Sequence, residues 1–416
     1  MQVEEERNST IDNNHNHLES RPFKLTYMHY DEDLYEELLK TKIDYLKEKC
    51  YQFLNNDADG NSNYIIDNLF IIKSPTRYRQ RCRFAIERIN NKLTYALFEY
   101  GTPSVYLSSY AIASVSINIT MITLLDYLNE NGDIILNSGL KACTFLSSMQ
   151  EEVVIALIYD KPLSEEWKVA AINLKEYLNN KNLENVVNIS IIGRSKGEKI
   201  IYGKDYVYEV LVLKDQTLRY KQMLDGFSNP NGIVNAKALD WICSTLEQIS
   251  KSTECTLLEL YCGNGNHTIA LAKYCRFIIA VEINNKLVDA ANENLEINSI
   301  SNAKVVQCDS CKFAKRILKN KRYTIYNDDN DNDNEEIEFN IVLVDPPRAG
   351  LDEVTLSLIV KYDYIIYISC NPTNSLLRDL SLSQLISTHE IVKFGVFDHF
   401  AYTEHLEAGI FLRRKV

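Results

Sequence analysis

The chain has 416 residues, room for two or three domains, and its 45% hydrophobic and 25% charged residues are typical of globular proteins. A net charge of −12 argues against nonspecific binding of polyanions by the surface as a whole. The acidic amino terminus argues against secretion, and the absence of any run of 18 apolar residues argues against membrane spanning. The ten irregularly spaced cysteines favour a reducing compartment, the cytoplasm.

The first half of the chain is predicted to be a polar tail followed by an α+β region. Residues 1–22 lack periodicity and are predicted to be disordered. Apolar residues at helical spacing predict an amphipathic helix over 31–54, and alternation predicts a hairpin over 71–107. Mixed strands and helices without a βαβ rhythm follow, so we interpret 23–234 as an α+β region that binds RNA substrate.

Arginine recurs at every second position in the predicted hairpin, at Arg77, Arg79 and Arg81. Alternate residues of a strand share one face, so this pattern predicts a row of guanidinium groups. Such a row is stabilised by anions, and we interpret it as a surface that contacts RNA phosphates. The alternative is a solvated strand face with scattered acidic partners.

The second half, 235–416, alternates strands and helices regularly, which predicts a doubly wound α/β domain with a seven-stranded, Rossmann-like sheet. An Asp- and Asn-rich tract interrupts it at 326–338. No core could accept that composition, so we interpret it as an acidic surface insertion.

A glycine-rich turn follows the first predicted strand of this domain, at Cys262-Gly263-Asn264-Gly265. Alone, such a turn is equally consistent with NAD or nucleotide phosphate. The second strand ends in Glu282, which can accept from both hydroxyls of a ribose, and the third ends in Asp309, which can accept from an adenine amino group. Neither a third glycine at dinucleotide spacing nor a P-loop lysine follows, and an adenosine ligand without pyrophosphate, S-adenosylmethionine, fits best.

Two later strands end in unusual turns. Asp345 precedes two prolines that stiffen the backbone, and Cys370 follows an apolar run that Asn371-Pro372 terminates. Because ligands bind at the carboxyl edge of such sheets, both side chains are candidates for chemistry. The alternatives are a helix cap for Asp345 and a small buried hydrophobe for Cys370.

The motifs together resemble a known family. The segments 258–266, 344–352, 367–372 and 397–403, followed by His405 and Glu407, are similar to the RNA uracil-5-methyltransferases, and most similar to the tRNA (uracil-5-)-methyltransferase branch. The chain has neither the amino-terminal cysteine cluster of an iron–sulfur centre nor a small β-barrel before Arg77, which supports the tRNA branch. The resemblance therefore implies S-adenosylmethionine as cofactor, tRNA as partner, and neither a metal nor an iron–sulfur cluster.

The resemblance also implies roles for particular residues. Cys370 is the nucleophile that adds to C6 of uracil, Glu407 removes the C5 proton, and Asp345 holds the uracil ring. The residues expected to contact the cofactor are Asn229, Tyr261, Gly263, Gly265, Glu282, Asp309 and Asp345. The implied product is 5-methyluridine at position 54 in the T-loop, and we expect a monomer.

The sequence departs from the family in two places. Asn229 stands where the family usually has glutamine, and the shorter amide predicts weaker cofactor binding. The family's base-stacking aromatic is not in register over 141–145, where Phe145 is the candidate replacement. Cys308 and Cys311 form a Cys-x-x-Cys without a second pair at zinc spacing, so we interpret them as a strand end with two thiols.

Three alternatives to tRNA uracil methylation stay open at this stage. The same adduct chemistry could methylate another RNA, such as rRNA or tmRNA, or a cytosine. A chaperone that folds tRNA without needing catalysis is the alternative from a different class.

Overall fold

The computed structural model describes residues 32–54, 60–98, 104–130, 134–320, 322–325, 335–382 and 385–415. The predicted tail, 1–22, and most of the acidic insertion at 326–338 lie outside the described residues. Within the described ranges, no helix has the length and apolar character needed to cross a membrane.

The amino-terminal half contains five helices and ten strands within the described residues. The helices are α1 (Tyr35–Leu54), α2 (Gly60–Asp67), α3 (Val115–Glu130), α4 (Ile134–Asn137) and α5 (Glu165–Asn180). The strands are β1 (Phe70–Ile72), β2 (Arg81–Ile89), β3 (Lys92–Leu97), β4 (Val105–Leu107), β5 (Leu140–Ser147), β6 (Glu152–Tyr159), β7 (Asn188–Ser195), β8 (Glu198–Tyr202), β9 (Tyr206–Val212) and β10 (Thr217–Met223).

Seven helices and nine strands follow in the described part of the second half. The helices are α6 (Gly232–Ser250), α7 (Asn266–Leu271), α8 (Asn285–Ile297), α9 (Ser310–Asn320), α10 (Glu353–Ile359), α11 (Leu377–Leu382) and α12 (Leu385–Thr388). The strands are β11 (Thr256–Leu260), β12 (Phe277–Glu282), β13 (Ala303–Gln307), β14 (Tyr323–Ile325), β15 (Glu335–Ile337), β16 (Ile341–Val344), β17 (Tyr364–Ser369), β18 (His389–Phe397) and β19 (Glu407–Arg414).

The carboxyl-terminal sheet confirms the predicted doubly wound α/β fold. Its strand order is β1-β18-β19-β17-β16-β11-β12-β13, and β19 runs antiparallel to β17 and β18. Every residue of β11 and of β16 is buried, as expected for central strands covered by helices on both faces. Residues 235–416 supply the seven predicted strands of this sheet, and β1 from the first half adds an eighth, parallel to β18.

The amino-terminal half forms the predicted α+β arrangement. Its own sheet has seven strands in the order β4-β3-β2-β5-β6-β7-β8, in which only the β6–β7 pair is parallel. Phe84, Tyr95 and Phe145 are buried in its core, where their rings lie 5.5 to 6.2 Å apart. A separate ribbon, β9–β10, leads into the second half.

Helix α1 joins the two halves through a buried ion pair. Lys42 Nζ donates to Asp398 Oδ1 at 2.7 Å, and the two side chains are 2% and 0% exposed. Lys42 also donates to the carbonyl oxygens of Phe400 at 3.2 Å and His405 at 3.1 Å, while the Tyr35 hydroxyl donates to Asp398 Oδ2 at 2.9 Å. The helix therefore holds the segment between β18 and β19 in place.

Candidate active site

Five strand ends meet at one edge of the carboxyl-terminal sheet. The parallel strands β11, β12, β16 and β17 bring the glycine turn, Glu282, Asp345 and Cys370 to this edge at their carboxyl ends. Strand β19 is antiparallel, so its first residue, Glu407, lies at the same edge. The predicted position of Cys370, directly after a buried strand, is confirmed.

A cavity of about 590 Å³ opens at this edge. Its polar and reactive lining residues come from both halves of the sheet and from the segment before α6, and they include Asn229, Tyr261, Gly263, His267, Glu282, Asp345, Arg348, Cys370, His399, His405 and Glu407. The cavity has the size and the mixed apolar and polar lining of a small-molecule site.

The glycine turn has the backbone that close approach of a ligand requires. Tyr261, Gly263 and Gly265 have φ angles of 65°, 58° and 81°, in the left-handed region. A Cβ placed on Gly263 would meet nothing within 4 Å, so this position faces open space. Gly265 differs, because its Cβ would lie 3.1 Å from Ile269 and 3.5 Å from Ala291. Gly263 therefore borders the cavity, whereas Gly265 permits close helix packing.

Glu282 is held in a fixed orientation at the cavity wall. Its Oε2 accepts from the Gly263 amide at 3.1 Å, and its Oε1 accepts from the Asn284 amide at 2.8 Å. Each carboxylate oxygen keeps a second lone pair, which is the acceptor pair that two vicinal hydroxyls need. Asp309, at the end of the next strand, instead caps α9 by accepting from the Lys312 amide at 3.0 Å, and it is not among the residues that line the cavity.

Asn229 contacts His399 across the cavity wall. Its Nδ2 lies 3.3 Å from His399 Nε2, and the same Nε2 lies 3.5 Å from Glu407 Oε1. His399 is 1% exposed, and its Nδ1 has no hydrogen-bond partner in the described structure. Burial, together with the nearby charge of His267, lowers the pKa of His399 to about 3, so its imidazole is neutral.

The environment of Cys370 disfavours its thiolate when no substrate is bound. Burial first, and then the charges of Glu407 and Asp345, raise the pKa of the thiol to about 11, while Arg348 acts in the opposite direction. Arg348 is exposed and its Nη2 lies 2.8 Å from His405 Nδ1. A cation near the sulfur is the feature expected of a nucleophilic cysteine.

Asp345 and Glu407 are two half-buried carboxyl groups that line the same cavity. Burial raises the pKa of Asp345 to about 6. Burial and then the charge of Asp345 raise the pKa of Glu407 to about 8. A carboxyl group that titrates near neutral pH is suited to accept and release a proton in catalysis.

The arginine row differs from its prediction. Strand β2 begins at Arg81, so Arg77 and Arg79 precede the strand and the predicted row on one strand face is wrong. Arg81 is half-buried and donates to the carbonyl oxygens of Met223 at 2.8 Å and Leu224 at 2.6 Å. The Arg79 Nε donates to the Arg81 carbonyl at 3.0 Å, and only Arg77 of the three is exposed.

Two further sequence interpretations have structural outcomes. Phe145 is 0% exposed within the amino-terminal core, so it cannot stack on a base from solution. Cys308 and Cys311 are half-buried free thiols. Among the residues that the structure describes, no group of three or more His, Cys, Asp or Glu side chains is arranged to hold a metal ion.

Two histidines of the cavity were missed at the sequence level. His267 directly follows the glycine turn, and His399 lies within the quoted 397–403 segment. Each stands next to a motif residue, and that proximity was the available signal. Their distances to carboxylates, which give them their interest, depend on the fold.

Comparisons with known proteins agree with this geometry. A family profile described as tRNA (Uracil-5-)-methyltransferase matches residues 35–415. A tRNA/tmRNA (uracil-C(5))-methyltransferase of Haemophilus influenzae (strain PittEE) is 36% identical over 383 residues, covering 92% of this chain and 98% of that protein. The same-named protein of Shewanella denitrificans is 37% identical over 360 residues, covering 86% and 94%.

A solved structure shares the fold. The crystal structure of Pyrococcus abyssi tRNA (uracil-54, C5)-methyltransferase in complex with S-adenosyl-L-homocysteine superposes with a TM-score of 0.62 at 19% sequence identity. The match covers 91% of this chain and 83% of that chain.

Proposed function

The chain belongs to the tRNA (uracil-5-)-methyltransferase family, and from this we propose that it transfers a methyl group from S-adenosylmethionine to C5 of uridine 54 in the T-loop of tRNA. The observation that carries the proposal is that Cys370, Glu407, Asp345 and Glu282 line one cavity at the strand edge. The relatives at 36 to 37% identity are named for tRNA and tmRNA, which supports the choice of substrate.

The residues present fit S-adenosylmethionine. Gly263 leaves open space beside the backbone, and Glu282 offers two oriented oxygens to a ribose. Tyr261 and Asn229 line the same cavity, and the Asn229 amide points to His399. When bound, S-adenosylmethionine supplies an electrophilic methyl group on a sulfonium. The contribution of the chain is to hold the uracil and the donor together in a cavity shielded from bulk water.

Cys370 starts the chemistry as a thiolate. Its sulfur forms a bond to C6, and the electron pair of the C5–C6 double bond moves toward C5 and the O4 carbonyl. This pair gives C5 the nucleophilicity that uracil lacks. C5 would bond to the methyl group as the bond between that methyl and the sulfonium sulfur breaks, which leaves S-adenosylhomocysteine. The charge of Arg348 favours the thiolate, whereas burial disfavours the thiolate.

Glu407 completes the reaction as the base. Its carboxylate takes the C5 proton, the electron pair re-forms the C5–C6 double bond, and the bond between C6 and the Cys370 sulfur breaks. Asp345 presents a carboxyl group to the polar edge of the ring, where the N3–H is a donor. Since Glu407 titrates near pH 8, it can release the proton to solvent after each turnover.

The test is nucleoside analysis by mass spectrometry of unmodified tRNA transcript incubated with S-adenosylmethionine. We expect 5-methyluridine in the T-loop from the wild type and from Cys308→Ala, a half-buried thiol outside the cavity lining. Cys370→Ala should make none. Product from Cys370→Ala would overturn the nucleophile, and product mapped to another RNA or to cytosine would overturn the substrate.

A trapped intermediate tests the adduct itself. In tRNA transcribed with 5-fluorouridine, the target C5 carries no proton for Glu407 to remove, so the bond to Cys370 should persist after methyl transfer. We expect a slowly migrating protein–RNA band on denaturing gels with the wild type and none with Cys370→Ala. A band that is equally strong in both would refute Cys370 as the attacking group, and the absence of a band with the wild type would refute the covalent mechanism.

A further inference from the structure

His267 is a buried histidine to which the proposed mechanism gives no role. It is the second residue of α7, is 8% exposed and lines the cavity. Its neighbours are carboxylates from three strands of the sheet: Glu259 in β11, Asp345 after β16 and Glu407 at the start of β19. The buried imidazole therefore lies within electrostatic reach of three acidic groups, two of which, Asp345 and Glu407, line the same cavity.

Glu259 is the carboxylate whose distance to His267 is shortest among those described in the structure. Its side chain is 0% exposed, and its Oε2 accepts from the Thr268 hydroxyl at 2.6 Å. The other oxygen, Oε1, is buried without a hydrogen-bond partner in the described structure and lies 3.7 Å from His267 Nδ1. A buried carboxylate is costly unless a cation compensates it, and His267 is the group placed to do so.

The electrostatic balance favours the charged imidazole. Burial alone lowers the pKa of His267, but the carboxylates of Glu259, Asp345 and Glu407 together raise it above its ordinary value. The effect is mutual, because the charge of His267 lowers the pKa of Asp345 and that of Glu407. Without this charge, burial and mutual repulsion would be the main influences on the two catalytic carboxyl groups.

The titratable groups next to Glu259 and Glu407 do not supply a cation, and Arg348, the arginine of the cavity lining, acts on Cys370. His399 packs against Glu407, and burial lowers its pKa to about 3. Cys262 and Tyr220 lie close to Glu259, and burial raises the pKa of each, so both are neutral. His267 is the group that carries positive charge into this part of the cavity.

We propose that His267 is a positioning residue of the reaction: placed beside Glu259, it carries a positive charge that offsets the repulsion between the carboxylates of Asp345 and Glu407 when both are ionised. The inference rests on the proposed function, since it explains how the base Glu407 is kept ready beside a second carboxylate. It assigns Glu259 a role as well, because this residue keeps His267 charged without touching the substrate.

A substrate-free experiment tests the charge directly. Protonated carboxyl groups absorb separately from carboxylates in the infrared, and difference spectra against Glu407→Gln and Asp345→Asn assign the two bands in the full chain. In His267→Gln, we expect both bands to persist to a pH about one unit higher than in the wild type. Glu259→Gln should shift them in the same direction but less, because His267 is then less firmly charged.

The activity of the same variants gives the second readout. In a plot of the single-turnover rate against pH, we expect the acid limb of His267→Gln to lie about one pH unit higher than that of the wild type. At a pH below the limb, this shift is about a tenfold loss of rate. His267→Lys, which restores a cation, should move the limb back. The matched control is His389→Gln: His389 is also buried, at 1% exposed against 8% for His267, but it lies against the Tyr362 carbonyl at 2.8 Å, outside the cavity lining, so the limb should stay in place.

The outcomes separate the two proposals. If His267→Gln lowers the rate equally at every pH and leaves both carboxyl bands unchanged, His267 only fills space and the inference is overturned. If the bands shift but the wild type makes no 5-methyluridine, the electrostatic inference stands and the proposed function fails. A shift of the bands to lower pH would contradict the sign of the effect and overturn the inference.

Discussion

Replacing Lys42 by methionine is expected to destabilise the fold by about 3 to 5 kcal/mol, the usual loss when one partner of a buried ion pair is removed. Methionine keeps most of the apolar length of the side chain, so the change removes charge rather than volume. Asp398 is 0% exposed and accepts from two side chains in the described structure, Lys42 and Tyr35. In the variant, the Tyr35 hydroxyl would be the remaining donor of the two. The carbonyl oxygens of Phe400 and His405 would lose the same ammonium donor.

Two further variants separate lost charge from lost packing. Lys40→Met removes a lysine from the same helix, where its ion pair with Asp44 leaves the side chains 75% and 55% exposed, and should cost less than about 0.5 kcal/mol. In the double variant Lys42→Met/Asp398→Asn, the uncompensated charge is gone and the new amide oxygen can still accept from Tyr35. This double variant should recover at least about 1 kcal/mol.

Urea titration followed by tryptophan fluorescence measures these differences. The chain has two tryptophans, and in a Trp167→Phe background the signal comes from Trp241, whose ring lies 5.5 Å from that of Phe397, the neighbour of Asp398. The linear dependence on urea gives the unfolding free energy. If Lys42→Met cost no more than Lys40→Met, or if the double variant recovered nothing, the buried pair would not be a net source of stability.

Three other predictions follow from the site and its supports. Since Glu407 must be ionised to act as base and titrates near pH 8, kcat/KM should rise from pH 6 to above pH 8; a flat profile over that range would contradict its role. Gly263→Ala should weaken S-adenosylhomocysteine binding at least tenfold in calorimetry, whereas the control Gly197→Ala should leave the affinity unchanged. Both glycines have positive φ and space for a Cβ, but of the two only Gly263 lines the cavity. Burial raises the pKa of Glu209 to about 7. Between about pH 4.5 and 7 the folded state therefore keeps a proton on Glu209 that the unfolded state has released. The stability that this group contributes is lost as the pH rises through that window. Glu209→Gln should therefore flatten the urea midpoint over that window, and an unchanged slope would show that Glu209 is ionised throughout.

The order of elements in the second half was predictable because its signals are local. Fully buried strands read as continuous apolar runs, and each ends in a glycine, acidic or proline-containing turn. Cys370 and Asp345 were placed at the sheet edge by this rule alone. Strand β1 was not predictable, since three residues, Phe70–Ile72, carry too little pattern and their partners lie at 395–397.

The contacts of some side chains could not be predicted from the sequence. The alternation around Arg81 suggested an outward face, but the segment that leads to Asn229 covers that face and takes the guanidinium as a donor to its carbonyl oxygens. Asp309 was predicted to meet an adenine because it follows a strand; its Oδ1 accepts from the Lys312 amide of its own helix, and it is not among the residues that line the cavity. In both cases the side chain forms a hydrogen bond with a backbone group.

The position of β1 and β19 also governs how the molecule can be assembled during synthesis. The amino-terminal sheet uses strands within 81–202 and can close as soon as those residues have emerged. The carboxyl-terminal sheet cannot, because β19 lies between β17 and β18, and β1 must wait for a partner more than 300 residues away. A growing chain therefore carries the Cys370 thiol before the strand that begins with Glu407 exists, and the two side chains can come together only after β19 has been synthesised.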